Sequence, residues 1–291
     1  MKPPPFKYVQ ASSLDDAVVA LAASGGDAKI IAGGQSLVPM LNFRLLRPAV
    51  LVDINRIPDL DFVAESPAGL RIGALTRHRT LETSAHVASA FPVLAEAMTH
   101  VAHLAIRNRG TIGGSLSHAD PAAELPMLAL LLDATIIAAG SRGRRSIAAK
   151  DFFVGALTTA LEPDEIVTEI ELPRLPPATG WGFEEYALRR GDFAIAAAAA
   201  TVTLGQSRCV EARIALIGGG DRPVRAAAAE ALLQGRTPGP ELIAQAARAA
   251  RDGVDPDGDL HASAEFRAHL IGVLTARALE AACERAAGAG R

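Results

Sequence analysis

Residues 107–126 read RNRGTIGGSLSHADPAAELP, and within them Gly113-Gly114 stands between the small polar residues Thr111 and Ser115. A glycine pair lets the backbone enter positive φ and leaves no Cβ in the way of a ligand. Successive N–H groups can then turn toward one anion. A second segment of this kind, Ala32-Gly33-Gly34-Gln35-Ser36-Leu37, directly follows an apolar strand pattern. A helix starting at Ser36 would add its free N–H groups and dipole. Gln35, Ser36, Thr111 and Ser115 supply neutral hydrogen-bond groups suited to phosphate oxygens. Two such segments converging on a pyrophosphate make one reading, and two tight turns make the other. Neither segment is the G-x-G-x-x-G of a dinucleotide fold or the G-x-x-x-x-G-K-[ST] of a P-loop, so a Rossmann reading fails.

Working outward, the first block alternates strand, helix and strand: Phe6–Gln10, Leu14–Ser24, Lys29–Ala32 and Val50–Ile54. Ser12 and Ser13 are cap candidates, with acids three residues later. This pattern predicts a small α/β unit over residues 1–56. A mixed second block follows over 57–176. Its strand pair Leu60–Ala64 and Leu70–Leu75 turns at Ser66-Pro67-Ala68-Gly69. Helical patterns cover Thr76–Ser84, Phe91–His103 and Ala122–Leu132, and strands resume at Thr135–Ala139 and Glu165–Glu171. Pro173, Pro176, Pro177 and Gly180 mark a boundary. Beyond it, over 177–291, three strands (Gly182–Leu188, Ile195–Leu204, Val210–Ile217) precede three helices (Pro223–Leu233, Pro240–Arg251, Ala264–Ala287), an α+β arrangement.

The 291 residues are 49% hydrophobic, enough to bury a sizeable interior and too many for a disordered chain. A net charge of −3 argues against nucleic acid as a partner. The densest basic stretch, Arg142, Arg144 and Arg145, reads as a solvated turn. Cys209 and Cys283 are the only cysteines, too few for an iron–sulfur cluster, which takes about four, and both read as core residues. No apolar run reaches the ~18 residues of a membrane span, and the start lacks a signal-peptide core, so a cytoplasmic protein is expected. His100 and His103 share a predicted helix without a third ligand, and His78, His86, His261 and His269 have no evident partners. There is no G-x-S-x-G elbow or cysteine nucleophile motif.

Ala32–Arg47 (AGGQSLVPMLNFRLLR) resembles the first FAD loop of the medium subunits of carbon monoxide dehydrogenase and related enzymes, and Arg107–Pro126 resembles their second. The opening FKYVQASSLDDAVVALA and the later YALRRGDFAIAAAAATV are similar to two further family segments, so the resemblance spans nearly the whole chain in order. This is the xanthine-dehydrogenase-like group of molybdenum hydroxylases. It implies a mixed α+β fold, with a two-part FAD-binding region of the p-cresol methylhydroxylase type and a C-terminal domain of a three-stranded antiparallel sheet with helices. The function implied is that of an electron-transfer subunit. FAD would be held in this chain, two-iron clusters in a small partner subunit and the molybdopterin cofactor in a large one, as a dimer of heterotrimers.

Carried over by residue, the resemblance implies that Ala32, Gly33, Gly34, Gln35, Ser36 and Leu37 meet the pyrophosphate with Thr111, Ile112, Gly113, Gly114 and Ser115. Asp120 falls near the adenosine sugar, although it also suits an N-cap for the helix behind Pro121. Phe193 falls where relatives place an aromatic ring over the flavin, often Tyr; Phe keeps the stacking face and loses the hydroxyl. Ser115 replaces a common Asn, and Asn42 a common Lys. His118 lies in the second loop as a structural partner or a sensor of flavin charge. Two other readings remain at this point: a stand-alone flavin oxidoreductase, for which no catalytic acid or base is evident, and a binding protein of the same fold without FAD.

Overall fold

The computed structural model describes residues 2–289. The chain opens with β1 (Lys7–Gln10), α1 (Leu14–Ala22), β2 (Ala28–Ile31), α2 (Leu37–Asn42) and β3 (Val50–Asp53). The α1 start is a capping box: Ser13 Oγ accepts from the Asp16 N–H at 3.1 Å while the Asp16 carboxylate accepts from the Ser13 N–H at 3.1 Å. All strand pairs here are parallel, in the order β1-β3-β2. Ala17 and Leu21 of α1 pack on Val52 and Ile54, and this cluster continues into Leu75 and Ile166.

The next stretch runs β4 (Val63–Ser66), β5 (Gly69–Gly73), α3 (His78–Thr83), α4 (Ala85–Ala90), α5 (Pro92–Met98), α6 (Leu104–Arg107), α7 (Ile112–His118) and α8 (Glu124–Leu131). After it come β6 (Thr135–Gly140), β7 (Gly143–Ala148), α9 (Ala149–Phe152), β8 (Phe153–Gly155), β9 (Thr158–Thr159) and β10 (Ile166–Pro173). The sheet order is β4-β5-β10-β6-β7. The expected strand at Leu60–Ala64 is displaced to β4, because the Leu60 and Phe62 carbonyls turn to accept from the Leu75 and Gly73 N–H groups.

The helix expected over Phe91–His103 stops at Met98. Ala102 takes a left-handed φ of 45°, and His103 becomes the N-cap of α6, so His100 and His103 do not share a helix. The basic stretch at 142–145 is exposed and starts in a turn, as read, but it continues past the turn. It enters β7, where Arg145 forms a two-point ion pair with Glu165 at 2.7 Å on each arm.

The final stretch comprises β11 (Thr179–Tyr186), β12 (Ala196–Gly205), β13 (Arg208–Ile217), β14 (Val224–Arg225), α10 (Ala227–Leu233), α11 (Pro240–Asp252) and α12 (Ala264–Ala289). The sheet is antiparallel and has four strands, not the expected three. Val224 and Arg225, anticipated as the start of a helix, pair with Leu216 and Ala215 instead.

The alanine run Ala196–Ala200 is strand and completely buried. Its even-numbered members face α10–α12 and Ala197 and Ala199 face the α8 side, so both faces of the strand are covered. Small residues suit this place because α12 lies almost on the backbone of β11. A Cβ at Gly182 would come within 2.7 Å of the Ala278 carbonyl carbon, nearer than real Cβ atoms approach. Helix α8 is buried at every residue and joins this sheet to the preceding one through a shared core. Both cysteines belong to the core on the α10–α12 side, Cys209 buried on β13 and Cys283 half-buried on α12.

Candidate functional site

The strand β2 ends where Gly33-Gly34 turns the chain into α2. Gly34 sits at φ 72°, the left-handed region that glycine enters without a Cβ clash. Gly33 faces the other segment: a Cβ there would lie 2.9 Å from Gly110 Cα and nearer still to the Arg109 carbonyl. The two glycine segments, far apart in sequence, therefore touch backbone to backbone. Among the described residues, no backbone N–H from Gly33 to Leu37 donates within the protein. That leaves a run of oriented donors at the start of α2, with Ser36 as its N-cap and the Gln35 amide folded back on the Gly33 carbonyl at 2.9 Å.

The second segment is built differently from expectation. Residues 112–118 form the helix α7, capped by the Thr111 hydroxyl, which accepts from the Gly114 N–H at 3.1 Å. The Ile112 and Gly113 N–H groups donate to the Thr76 and Ala74 carbonyls at 3.1 and 2.9 Å. These amides hold the segment against the end of β5 and do not form an open nest. Thr111, Ile112 and Gly113 are buried, with Ile112 in the core and Gly113 against Ala74, so what this segment offers a ligand is the half-exposed Gly114 and Ser115.

His78 supports this arrangement from below. Its Nε2 lies 3.0 Å from the Thr111 carbonyl, which only accepts, so Nε2 carries the proton. Burial pushes the ring down to about 4, keeping it neutral, and its Nδ1 is buried beside Gly110 without a partner. The sequence showed His78 with no company; only the fold reveals it.

Two further residues that the sequence did not nominate connect the segments. Asn55 Nδ2 donates to the Ala32 carbonyl at 2.8 Å and to Asp53 Oδ1 at 2.7 Å. Arg77 donates to Asn55 Oδ1 at 2.9 Å and to the Arg109 carbonyl. The Tyr8 hydroxyl closes the chain of bonds on Asp53 Oδ2. No motif signals Asn55 or Arg77, because their partners are backbone carbonyls brought near by folding.

Asp120 does not cap a helix: α8 begins at Glu124, with Ala123 at its N-cap. Asp120 Oδ1 instead accepts from the Ala122 N–H at 2.9 Å in a local turn, and Oδ2 lies 3.9 Å from His118 Nε2. Phe193 is 69% exposed in the β11–β12 hairpin. The hairpin rests on the chain just before α6, where a Cβ on Gly191 would be 2.9 Å from the Ala102 carbonyl. A dianion suits the free donors from Gly33 to Leu37, which the buried Gly33–Gly110 contact holds beside the second segment, so these residues fit a pyrophosphate.

A family model described as the FAD binding domain in molybdopterin dehydrogenase matches residues 4–175, and one described as the CO dehydrogenase flavoprotein C-terminal domain matches residues 181–282. The 6-hydroxypseudooxynicotine dehydrogenase complex subunit alpha of Paenarthrobacter nicotinovorans is 48% identical, over 98% of this chain and 97% of its own. The caffeine dehydrogenase subunit beta of a Pseudomonas species is 41% identical, over 98% and 97%. A chain of carbon monoxide dehydrogenase from Hydrogenophaga pseudoflava, in a structure lacking the Mo-pyranopterin moiety, superposes with a TM-score of 0.96 at 38% identity, over 98% of this chain and 99% of that one. The chain belongs to the family of FAD-binding medium subunits of molybdopterin dehydrogenases.

Proposed function

We propose that this chain holds FAD where the two glycine segments meet and serves as the electron-transfer subunit of a molybdenum hydroxylase. The observation that carries the reading is the run of uncommitted N–H donors at Gly33–Leu37 lying against the second segment at Gly33–Gly110. The donors from Gly33 to Leu37, with Ala32 leading in from the strand, orient the pyrophosphate on one side. Gly114 and the Ser115 hydroxyl close on it from the other, with Thr111, Ile112 and Gly113 buried behind them as their support. Asp120, with one oxygen spare, accepts from the adenosine sugar. Phe193, on the hairpin, covers the flavin and screens it from water.

FAD, when bound, supplies the redox chemistry, taking electrons from two-iron clusters of a small partner subunit, fed by a large molybdopterin subunit, and passing them to an external acceptor. The division of the chain at about residues 56 and 176 accords with two parts shaping the FAD cleft and a third, 177–291, carrying the flavin cover. The assembly is a dimer of heterotrimers in the cytoplasm; no helix among the described residues is long and apolar enough to cross a membrane. Identities of 48% and 41% to subunits named for a nicotine derivative and for caffeine favour an N-heterocycle as the large subunit's substrate.

The test is the native complex purified under mild conditions. One FAD for each copy of this chain, with iron and molybdenum on two co-purifying chains, is the expected result. A colourless preparation that takes up no FAD overturns the reading.

A further inference from the structure

Phe193 carries its exposed ring on a backbone that is held on both sides. Ala194 and Ile195, the next two residues, are each 4% exposed and enter separate cores. The Ile195 N–H donates to the Tyr186 carbonyl at 2.8 Å, closing the β11–β12 hairpin. The Ile195 carbonyl accepts from Arg267 Nη1 at 2.6 Å. Arg267 stands at the start of α12, is 13% exposed and is itself fixed by Asp259 at 2.7 Å. Its neighbour Phe266 meets the Tyr186 ring edge-on at 5.9 Å.

On the other side of Phe193, Gly191 rests on Ala102 and His103. It takes a φ of 87°, and a Cβ would come within 2.7 Å of His103 Nδ1 and 2.9 Å of the Ala102 carbonyl oxygen. Backbone and space both demand glycine here. The seat beneath it has a left-handed residue of its own, Ala102 at φ 45°, a conformation that a residue with a Cβ keeps only when its surroundings enforce it. Arg107 enforces it. Its Nη1 donates to the Val101 and Ala102 carbonyls, both at 2.9 Å, while Nε and Nη2 meet the Glu82 carboxylate at 3.0 and 3.4 Å. The side chains of this ion pair are nearly enclosed, 12% and 13% exposed.

The same arginine is tied to the glycine segments. Helix α6 runs from its N-cap His103 to Arg107, and the Gly110 N–H donates back to the Ile106 carbonyl at 2.7 Å. Gly110 is the residue against which Gly33 packs. One short stretch, 101–110, therefore carries the hairpin at one end and the first glycine segment at the other.

We propose that Arg107 and Arg267 are positioning residues for Phe193: Arg107 fixes the seat of the hairpin tip, Arg267 fixes its base, and together they set where the ring stands over the cofactor. This rests on the FAD reading above. An aromatic ring on a loose loop would have to be ordered each time the cofactor binds, and a backbone pinned beforehand removes most of that entropic cost. Arginine suits both places because its planar fork serves carbonyl and carboxylate acceptors at once, which a lysine ammonium cannot do in the same geometry.

The experiment uses the purified complex, stripped of flavin and titrated with FAD. The proteins are wild type, Phe193→Ala, Arg107→Lys, Arg267→Lys and the two double variants that add Phe193→Ala. Each Lys variant alone should reproduce the effect of Phe193→Ala, an affinity about 3- to 10-fold lower with the same shift of the flavin absorption band. In the Phe193→Ala background the Lys substitutions should change affinity by no more than about twofold and leave the band in place. Losses of equal size in both backgrounds make the arginines general scaffolding and overturn the proposal. Wild-type affinity and band in Phe193→Ala also overturn it, while leaving FAD binding intact. A wild-type complex that takes up no FAD overturns the underlying reading instead. Should the Lys variants fail to assemble, hydrogen exchange in the flavin-free wild-type complex decides. Slow exchange of the Asp192 and Ile195 amides supports a hairpin pinned before FAD arrives, and fast exchange overturns it.

Discussion

The Arg77 guanidinium and the Asn55 amide meet at 2.9 Å, and between them they hold both glycine segments: Asn55 binds the Ala32 carbonyl and Arg77 the Arg109 carbonyl. A hydrogen bond to a charged group contributes about 1.5–3 kcal/mol. Replacing Arg77 with Met should therefore weaken FAD binding roughly 10- to 100-fold, with little change in the circular dichroism of the chain. Lys at this position cannot serve two acceptors with one planar fork and should restore only part of the affinity. Equilibrium dialysis of FAD against the three proteins measures the series.

Gly33 makes a sharper prediction. An alanine Cβ there would overlap the backbone of Arg109 and Gly110, so Gly33→Ala must push the segments apart. The purified variant should lose most of its flavin. Gly34→Ala meets only side-chain atoms, Val38 at 3.3 Å and Ile31 at 3.4 Å, and its cost is the positive φ, about 1 kcal/mol. It should retain flavin with a lower melting temperature. Absorbance at the flavin band per mole of chain separates the two outcomes.

His78 gives an acid window with a definite sign. Its ring is held down to about 4 by burial, against about 6.5 in an unfolded chain, so the unfolded state binds more protons between those values. The stability contributed by neutral His78 is complete above about pH 6.5 and is lost as pH falls toward 4, at up to about 1.4 kcal/mol per pH unit. Gln can keep the bond to the Thr111 carbonyl without titrating. His78→Gln should flatten this part of the stability curve in urea melts.

Glu124 acts in the opposite direction. A buried carboxyl raised to about 8 binds a proton that the unfolded chain has released by about pH 4.5. Folding stability from this group is therefore present below that value and declines as pH climbs toward 8. Glu124→Gln should remove the decline, leaving the variant the more stable protein at pH 8.5 in the same urea melts.

Phe193 is 69% exposed, so its loss should hardly touch the stability of the flavin-free chain, within about 0.5 kcal/mol. Its expected effect is on the cofactor. FAD affinity should fall several-fold in Phe193→Ala and the flavin absorption band should shift, because the flavin loses its apolar cover. Unchanged affinity and an unchanged band would remove Phe193 from the site.

Much of the architecture could be read locally. The Ser13–Asp16 cap, the alternation of strand and helix in the first block and the strand at Ala196–Ala200 are short-range matters of capping, apolar pattern and turn residues, and they stand where expected. Errors arose where a local preference met a distant partner. Residues 112–118 lack an obvious helical signature, yet become α7 once Thr76 and Ala74 supply acceptors for the leading amides. Arg142–Arg145 is the exposed turn it looks like only at its start, because β6 then offers a strand to pair with and Glu165 a counter-ion for Arg145.

For the site, the primary structure alone identified the two glycine segments, because missing side chains and small polar neighbours are visible residue by residue. It could not show that Gly33 touches Gly110, that Asn55 and Arg77 bridge the gap, or that Glu124 is buried at the start of α8. Each of these depends on backbone carbonyls or buried charges far apart along the chain. Such groups acquire their partners and their loss of water only when the α8 helix and the flanking sheets close around them.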